Sequence, residues 1–326
     1  MRRADRAHDL GSRPLTAQVA NSDGSGPHPV GPLGVAPPPA GGIDLVVPGV
    51  DVRLAATRWP GAGTPVVLLH GLASQRRFWN PVARRLASGP DGSPILALDQ
   101  RGHGDSERPE HPYDLSTVAA DLATAMDALA LSRAVVVGHS WGGAVAATFA
   151  AEHPERCLAL VAIDGGFGMP VAGDRGELRK RLEPPRFAVP PEQLVDMISG
   201  RSPGRWQADE LASAVLPIFE VGPDGLARAR LPFETHMQIL DGLLDYDAQA
   251  VLPRVRCPAW LVSCESVDTT DEWTGQKAAA LELIAPQLAR PRVMRWAGAV
   301  HDVPLQWPDL VAGLIRSAIN DPEIGA

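Results

Sequence analysis

Short, nearly unbroken runs of apolar residues mark the chain at 65–70, which ends on His70, and at 94–98, 134–137 and 157–163, and the strand pattern resumes at 258–263 and 292–296. The runs lack the every-other-residue polarity of a strand that faces water, so they predict strands buried on both faces. Between them, apolar residues recur at helical spacing. Val118, Leu122, Met126 and Leu129 fall on one face of a helix that Ser116 can cap. Residues 142–151 are rich in small side chains and stop before Pro154, and further helices are predicted at 78–86, 274–288 and near 310–319. Residues 43–47 and 50–59 add two strands joined at Pro48-Gly49, an antiparallel edge. Buried strands alternating with amphipathic helices predict the α/β class, with a mostly parallel, doubly wound sheet of about eight strands covered on both sides.

The alternation breaks twice. Residues 1–42 are rich in Gly, Pro, Ser and Ala and close on Pro37-Pro38-Pro39 and Gly41-Gly42, the composition of a disordered leader. Residues 165–252 carry charged stretches and the proline pairs Pro184-Pro185 and Pro190-Pro191, and read as an insertion dividing one core into 43–164 and 253–326. At 326 residues and 45% hydrophobic content, the chain can bury one large core with such an insertion. Its net charge of −8 argues against a nucleic-acid partner, which calls for a basic stripe. No apolar run reaches the roughly 18 residues of a membrane span. The chain begins Met1-Arg2-Arg3, yet the apolar stretch of an export signal does not follow. Cys157, Cys257 and Cys264 lie in or beside apolar runs, which predicts buried free thiols in a reducing cytoplasm. Lys180 and Lys277 are the only lysines, a bias that fits a high-GC bacterial genome.

Chemistry concentrates at Gly138-His139-Ser140-Trp141-Gly142-Gly143, which joins the run at 134–137 to the helix at 142–151. A serine on a tight strand-to-helix turn, framed by glycines two residues away on each side, has its Oγ lifted clear of the sheet. Ser140 is therefore the expected nucleophile. A serine hydroxyl needs a histidine base and a carboxylate to orient that base. Only His236 and His301 follow position 200; His236 falls in the insertion, whereas His301 lies in the loop after the last strand. His301 is the expected base, since open α/β sheets place their sites at the carboxyl ends of the strands. The amides of Trp141, after the nucleophile, and of Leu72, after the strand at 65–70, are the expected oxyanion donors.

His70-Gly71 with Ser74 and Trp79, the segment Asp99-Gln100-Arg101-Gly102-His103-Gly104-Asp105-Ser106, the serine turn, and residues 298–301 with Pro308 together resemble the α/β-hydrolase-fold family over residues 43–320. The resemblance implies a serine hydrolase without metal or organic cofactor, with residues 165–252 forming a helical lid. It also implies that 99–106 is a structural loop whose histidine and arginine are held by hydrogen bonds, leaving His103 and Asp105 outside the triad. In the commonest pattern of that family an aspartate stands three residues past a glycine closing the strand here at 258–263. Cys264 occupies the place of that glycine, Val267 stands three residues on, and Asp268 comes one position late. Some members carry the acid one strand earlier, where this chain has Asp164. Asp164 is the preferred acid and Asp268 its rival.

The expected substrate is a small molecule, an acyl ester, thioester or lactone. Carbon–carbon bond hydrolysis, or a lyase or cyclase step on the same triad, is the alternative chemistry. A non-catalytic ligand-binding protein that keeps the shell is the alternative class. Arg175, Arg179, Lys180, Arg181 and Arg186 read either as a solvated helix face or as an anion-receiving patch. Trp206, Phe219 and Phe233 either line a pocket or pack the lid on the core.

Overall fold

The apolar runs become the middle of one sheet. The computed structural model describes residues 18–19, 41–88, 92–168, 174–201, 211–267 and 272–324. Its strands are β1 (Gln18–Val19), β2 (Ile43–Pro48), β3 (Arg53–Trp59), β4 (Val66–Leu69), β5 (Ile95–Leu98), β6 (Ala134–His139), β7 (Cys157–Ile163), β8 (Phe219–Val221), β9 (Ala227–Ala229), β10 (Ala259–Glu265) and β11 (Pro291–Ala297). One nine-stranded sheet has the order β1-β2-β3-β5-β4-β6-β7-β10-β11, antiparallel as far as β5 and parallel beyond it. Of the proposed leader, residues 18–19 pair with β2 as an edge strand, and most of the rest lies outside the described residues.

The middle of the sheet is buried on both faces because β4, β5 and β7 are apolar at every position and β6 and β10 are apolar up to their carboxyl ends. Val135, Val137, Val161 and Val262 face a cluster that includes Trp79, Val82 and Ile315, on α1 (Asn80–Ala87) and α10 (Pro308–Ile319) and the turn before α1. Val136, Leu160 and Leu261 face the opposite cluster, with Leu122 of α2 (Leu115–Ala128) and Phe149 of α3 (Trp141–Glu152). This alternation of neighbouring residues between two cores is the period-two geometry of a strand. The N-cap of α2 is Asp114, whose carboxylate accepts from the Thr117 amide at 2.9 Å, and not Ser116; an ionised acceptor two residues earlier captures one of the orphan amides.

The insertion carries α4 (Arg175–Arg181), α5 (Pro191–Arg201), α6 (Phe233–Leu244) and α7 (Ala248–Val251), but also the hairpin β8–β9. It is mixed rather than purely helical, since Gly222-Pro223-Asp224-Gly225 turns the chain between two short strands. Beyond it come α8 (Glu272–Ile284) and α9 (Val303–Gln306). Cys157, Cys257 and Cys264 are free and buried, the first two with sulfurs 3.6 Å apart. Among the described residues, no helix is long and apolar enough to cross a membrane.

Arg101 and Asp121 form a buried ion pair, with Nε–Oδ2 at 2.6 Å and Nη2–Oδ1 at 2.7 Å and side chains 1% and 2% exposed. Asp121 Oδ1 also accepts from the Val50 amide at 2.7 Å, so the pair ties the β2–β3 turn and the loop after β5 to α2. Asp121→Ala leaves a buried guanidinium without its counter-charge, and urea unfolding should show a loss of about 3–5 kcal/mol. A loss no larger than that of a surface substitution would show that water reaches Arg101.

Candidate active site

The register of the parallel strands gathers the carboxyl ends of β4, β6, β7 and β10 at one edge, with His139 opposite Ile163 and Ile163 opposite Val262. Ser140 follows β6 and Asp164 follows β7, so the two residues emerge side by side. Both have positive φ, 55° at Ser140 and 48° at Asp164, a region costly for residues with a Cβ. At Ser140 the cause is the turn from β6 directly into α3. A Cβ on Gly138 would collide with the Gly142 carbonyl, and one on Gly142 with the Leu69 carbonyl, so only glycine lets strand and helix approach this closely. The Ser140 amide donates to the Ile163 carbonyl at 2.9 Å, its own carbonyl accepts from Gly143 at 2.9 Å, and its side chain caps nothing.

The Asp164 carboxylate is surrounded by donors. Its Oδ2 lies 2.7 Å from His301 Nδ1, and its Oδ1 accepts from the Cys264 amide at 2.9 Å and from Lys277 Nζ at 2.8 Å. Lys277, on α8, also donates to the Cys264 carbonyl. Burial opposes ionisation of Asp164, but the His301 bond and the two nearby positive groups hold its carboxyl below the usual range. At His301, whose ring is still 55% exposed, partial desolvation pulls the pKa down, while the hydrogen bond and charge of Asp164 outweigh it and raise the imidazole above its ordinary value of 6.5; Lys277 works against that rise. With Nδ1 donating to the carboxylate, Nε2 is the nitrogen left to accept a proton. His139 holds the same loop from below, its Nε2 donating to the His301 carbonyl at 2.7 Å with the rings 4.7 Å apart. Burial first, and the neighbouring His301 second, lower His139 to about 4, so it stays neutral. Asp268 lies outside the described residues, as does Trp206.

Leu72, Trp141, Ser140 and His301 line one cavity of about 820 Å³. The loop carrying Leu72 is pinned by neutral histidines. His70 Nε2 accepts from the Gln100 amide at 3.1 Å while its Nδ1 donates to Gly71, and His103 Nε2 accepts from the Ala73 amide at 3.3 Å while its Nδ1 donates to Arg101. Burial lowers His70 to about 4 and His103 to about 3. Both ring nitrogens of each are thus occupied. Asp105 is likewise engaged, with Arg76 at 2.9 Å and Arg230 at 2.8 Å. Among the described residues no hydrogen bond joins Ser140 Oγ to His301, a contact that in many enzymes tightens only with substrate bound. No group of three or more His, Cys, Asp or Glu among the described residues is arranged to hold a metal ion.

Sequence reasoning gave no role to Lys277, although its rarity in a chain with two lysines was a signal. It also passed over His236, which is 8% exposed, lines the cavity and is kept neutral by burial, with its pKa lowered to about 4. His236 was visible only as a histidine in the insertion, with nothing local to show that α6 folds it over the serine.

Comparison with known proteins points to one fold. Residues 64–191 match the family model of the alpha/beta hydrolase fold. A 2-(acetamidomethylene)succinate hydrolase from Mesorhizobium japonicum is 37% identical over 107 residues, 33% of this chain and 37% of that protein. Epoxide hydrolase B from Mycobacterium tuberculosis is 38% identical over 113 residues, 34% of this chain and 30% of that protein. The matched stretch thus spans about a third of the length of these curated relatives. The solved structure of an E-2-(acetamidomethylene)succinate hydrolase superposes with a TM-score of 0.70 and 25% identity, covering 86% of this chain and 99% of that one.

Proposed function

Because the chain belongs to the α/β-hydrolase-fold superfamily, we propose that it is a serine hydrolase that cleaves an ester, thioester or lactone through an acyl-enzyme. Ser140 is the nucleophile, His301 the base and Asp164 the acid. His301 Nε2 takes the Oγ proton as Oγ attacks the carbonyl carbon, and the oxyanion that forms is received by the Leu72 and Trp141 amides. Collapse expels the alcohol or thiol, which leaves with the proton held by His301. Water then attacks the acyl carbon as His301 removes its proton, and collapse breaks the bond to Ser140 Oγ, which takes that proton back from His301 as the acid is released. The observation that carries this reading is the 2.7 Å bond between His301 Nδ1 and Asp164 Oδ2 beside a serine held at φ 55°.

The substrate class is tested with p-nitrophenyl esters of graded acyl length beside thioesters and lactones, for which multiple turnovers are expected. Because one relative is named a 2-(acetamidomethylene)succinate hydrolase, an acetamide belongs in the panel. Epoxide opening is not proposed, because the family performs it with an aspartate where this chain has Ser140.

The pH profile gives a signed expectation. Catalysis needs neutral His301, whose pKa is raised, so the acidic limb of kcat/KM should lie above pH 6.5 and activity should fall as pH drops through it. The charged or titratable groups around His301 are Asp164, Asp302, Lys277 and His139. Removing the Lys277 ammonium takes away a positive charge that disfavours imidazolium, so Lys277→Met should move that limb to higher pH. A limb that stays in place, or moves down, would show that Lys277 does not act on the base.

A further inference from the structure

The basic run on and after α4 divides once its partners are known. Arg175 pairs with Asp245 at 2.6 Å and Arg179 with Asp241 at 2.7 Å, while the Arg186 guanidinium lies 3.4 Å from the centre of the Phe233 ring. Arg181 is placed differently. Its guanidinium stands 5.1 Å from the centre of the Trp273 ring, and it meets no carboxylate among the described residues. It also lines both the Ser140 cavity and a second cavity of about 700 Å³; Phe167, Gly168, Tyr246 and Trp273 line both as well. Arg181 therefore stands where the two chambers adjoin. A guanidinium stacked on an indole uses its face for the ring and keeps its in-plane N–H donors available.

The other polar groups of the serine chamber leave this position to Arg181. Lys277 is taken by Asp164 and the Cys264 carbonyl. His236 is neutral and can offer a hydrogen bond but no charge. The adjoining chamber is lined by Asp174, Glu177 and Asp247 against Arg175 and Arg181, and the remaining negative charge repels a dianion more strongly than a monoanion.

We propose that Arg181, backed by Trp273, is a subsite for a carboxylate carried on the part of the substrate remote from the scissile bond. The natural substrate is then an ester, thioester or lactone with a free monoanionic carboxylate rather than a neutral lipid-like ester. This inference rests on the serine-hydrolase reading and narrows it. The planar fork suits a carboxylate's two oxygens, and the acidic wall of the second chamber sets the preference for one negative charge over the two of a phosphate.

The test is binding to the Ser140→Ala protein, followed by calorimetry with monomethyl glutarate, with methyl valerate as its neutral counterpart, and with a phosphonate-headed methyl ester. The carboxylate ester should bind about two- to fivefold more tightly than the neutral one, the worth of an ion pair at a guanidinium as exposed as that of Arg181. In Arg181→Met on the same background that preference should collapse to about one, and Arg181→Lys should restore only part of it. Equal binding of charged and neutral esters, or a preference that survives Arg181→Met, would overturn the subsite, and tighter binding of the phosphonate would overturn its assignment to a carboxylate. Fluorophosphonate labelling reads the nucleophile separately: a protein that labels at Ser140 but shows no carboxylate preference sinks the subsite alone, and an unlabelled wild type sinks the hydrolase reading.

Discussion

Ser140→Ala should remove essentially all turnover, by about 10⁶ in kcat on the precedent of serine enzymes that lose their nucleophile. The fold should be unaffected. Alanine keeps the Cβ that the φ of 55° already accommodates, and Ser140 Oγ caps no helix, so no stabilising bond is lost. Thermal unfolding of the variant should overlay that of the wild type. Near-normal hydrolysis by the alanine variant would remove Ser140 from the mechanism, and a collapse in Tm would mean that the lost activity reports unfolding.

Asp164→Asn should lower kcat by about 10⁴, because an amide in place of the carboxylate no longer fixes the His301 tautomer or stabilises the imidazolium that forms. Lys277 complicates the comparison, since it loses the same partner. The variant should therefore be read beside Lys277→Met, which removes the ammonium but leaves the His301–Asp164 bond in place and should keep most of the turnover at alkaline pH. Asp268→Asn, made in parallel, should have a small effect. A severe loss confined to the Asp268 variant would transfer the acid to that residue.

The parts of this fold that were legible in the sequence are those written in local patterns. The bounds of β7 could be read directly, because every residue of Cys157–Ile163 is apolar and the strand is covered on both faces. The turn at Ser140 was legible for the same reason, since its glycines are set by contacts within the strand-turn-helix and against β4. β8 and β9 escaped because three-residue strands carry no measurable period. Ser116 was the wrong cap because several polar residues precede α2, and only the geometry shows that the Asp114 carboxylate reaches the Thr117 amide. The acid remained open between Asp164 and Asp268 because the partner of His301 lies 137 positions away, and no local pattern records such a contact. Lys277 was hidden likewise, 113 positions from the carboxylate it touches.

Activation of Ser140 by His301 and Asp164 should show in its reactivity toward an electrophile. Peptide mass mapping after a fluorophosphonate reaction tests it most directly, with wild type, Ser140→Ala and Asp164→Asn treated side by side. One adduct is expected, on the peptide containing Ser140, formed rapidly in the wild type, absent in Ser140→Ala and slowed severely in Asp164→Asn. An adduct on another residue, or none in the wild type, would contradict it.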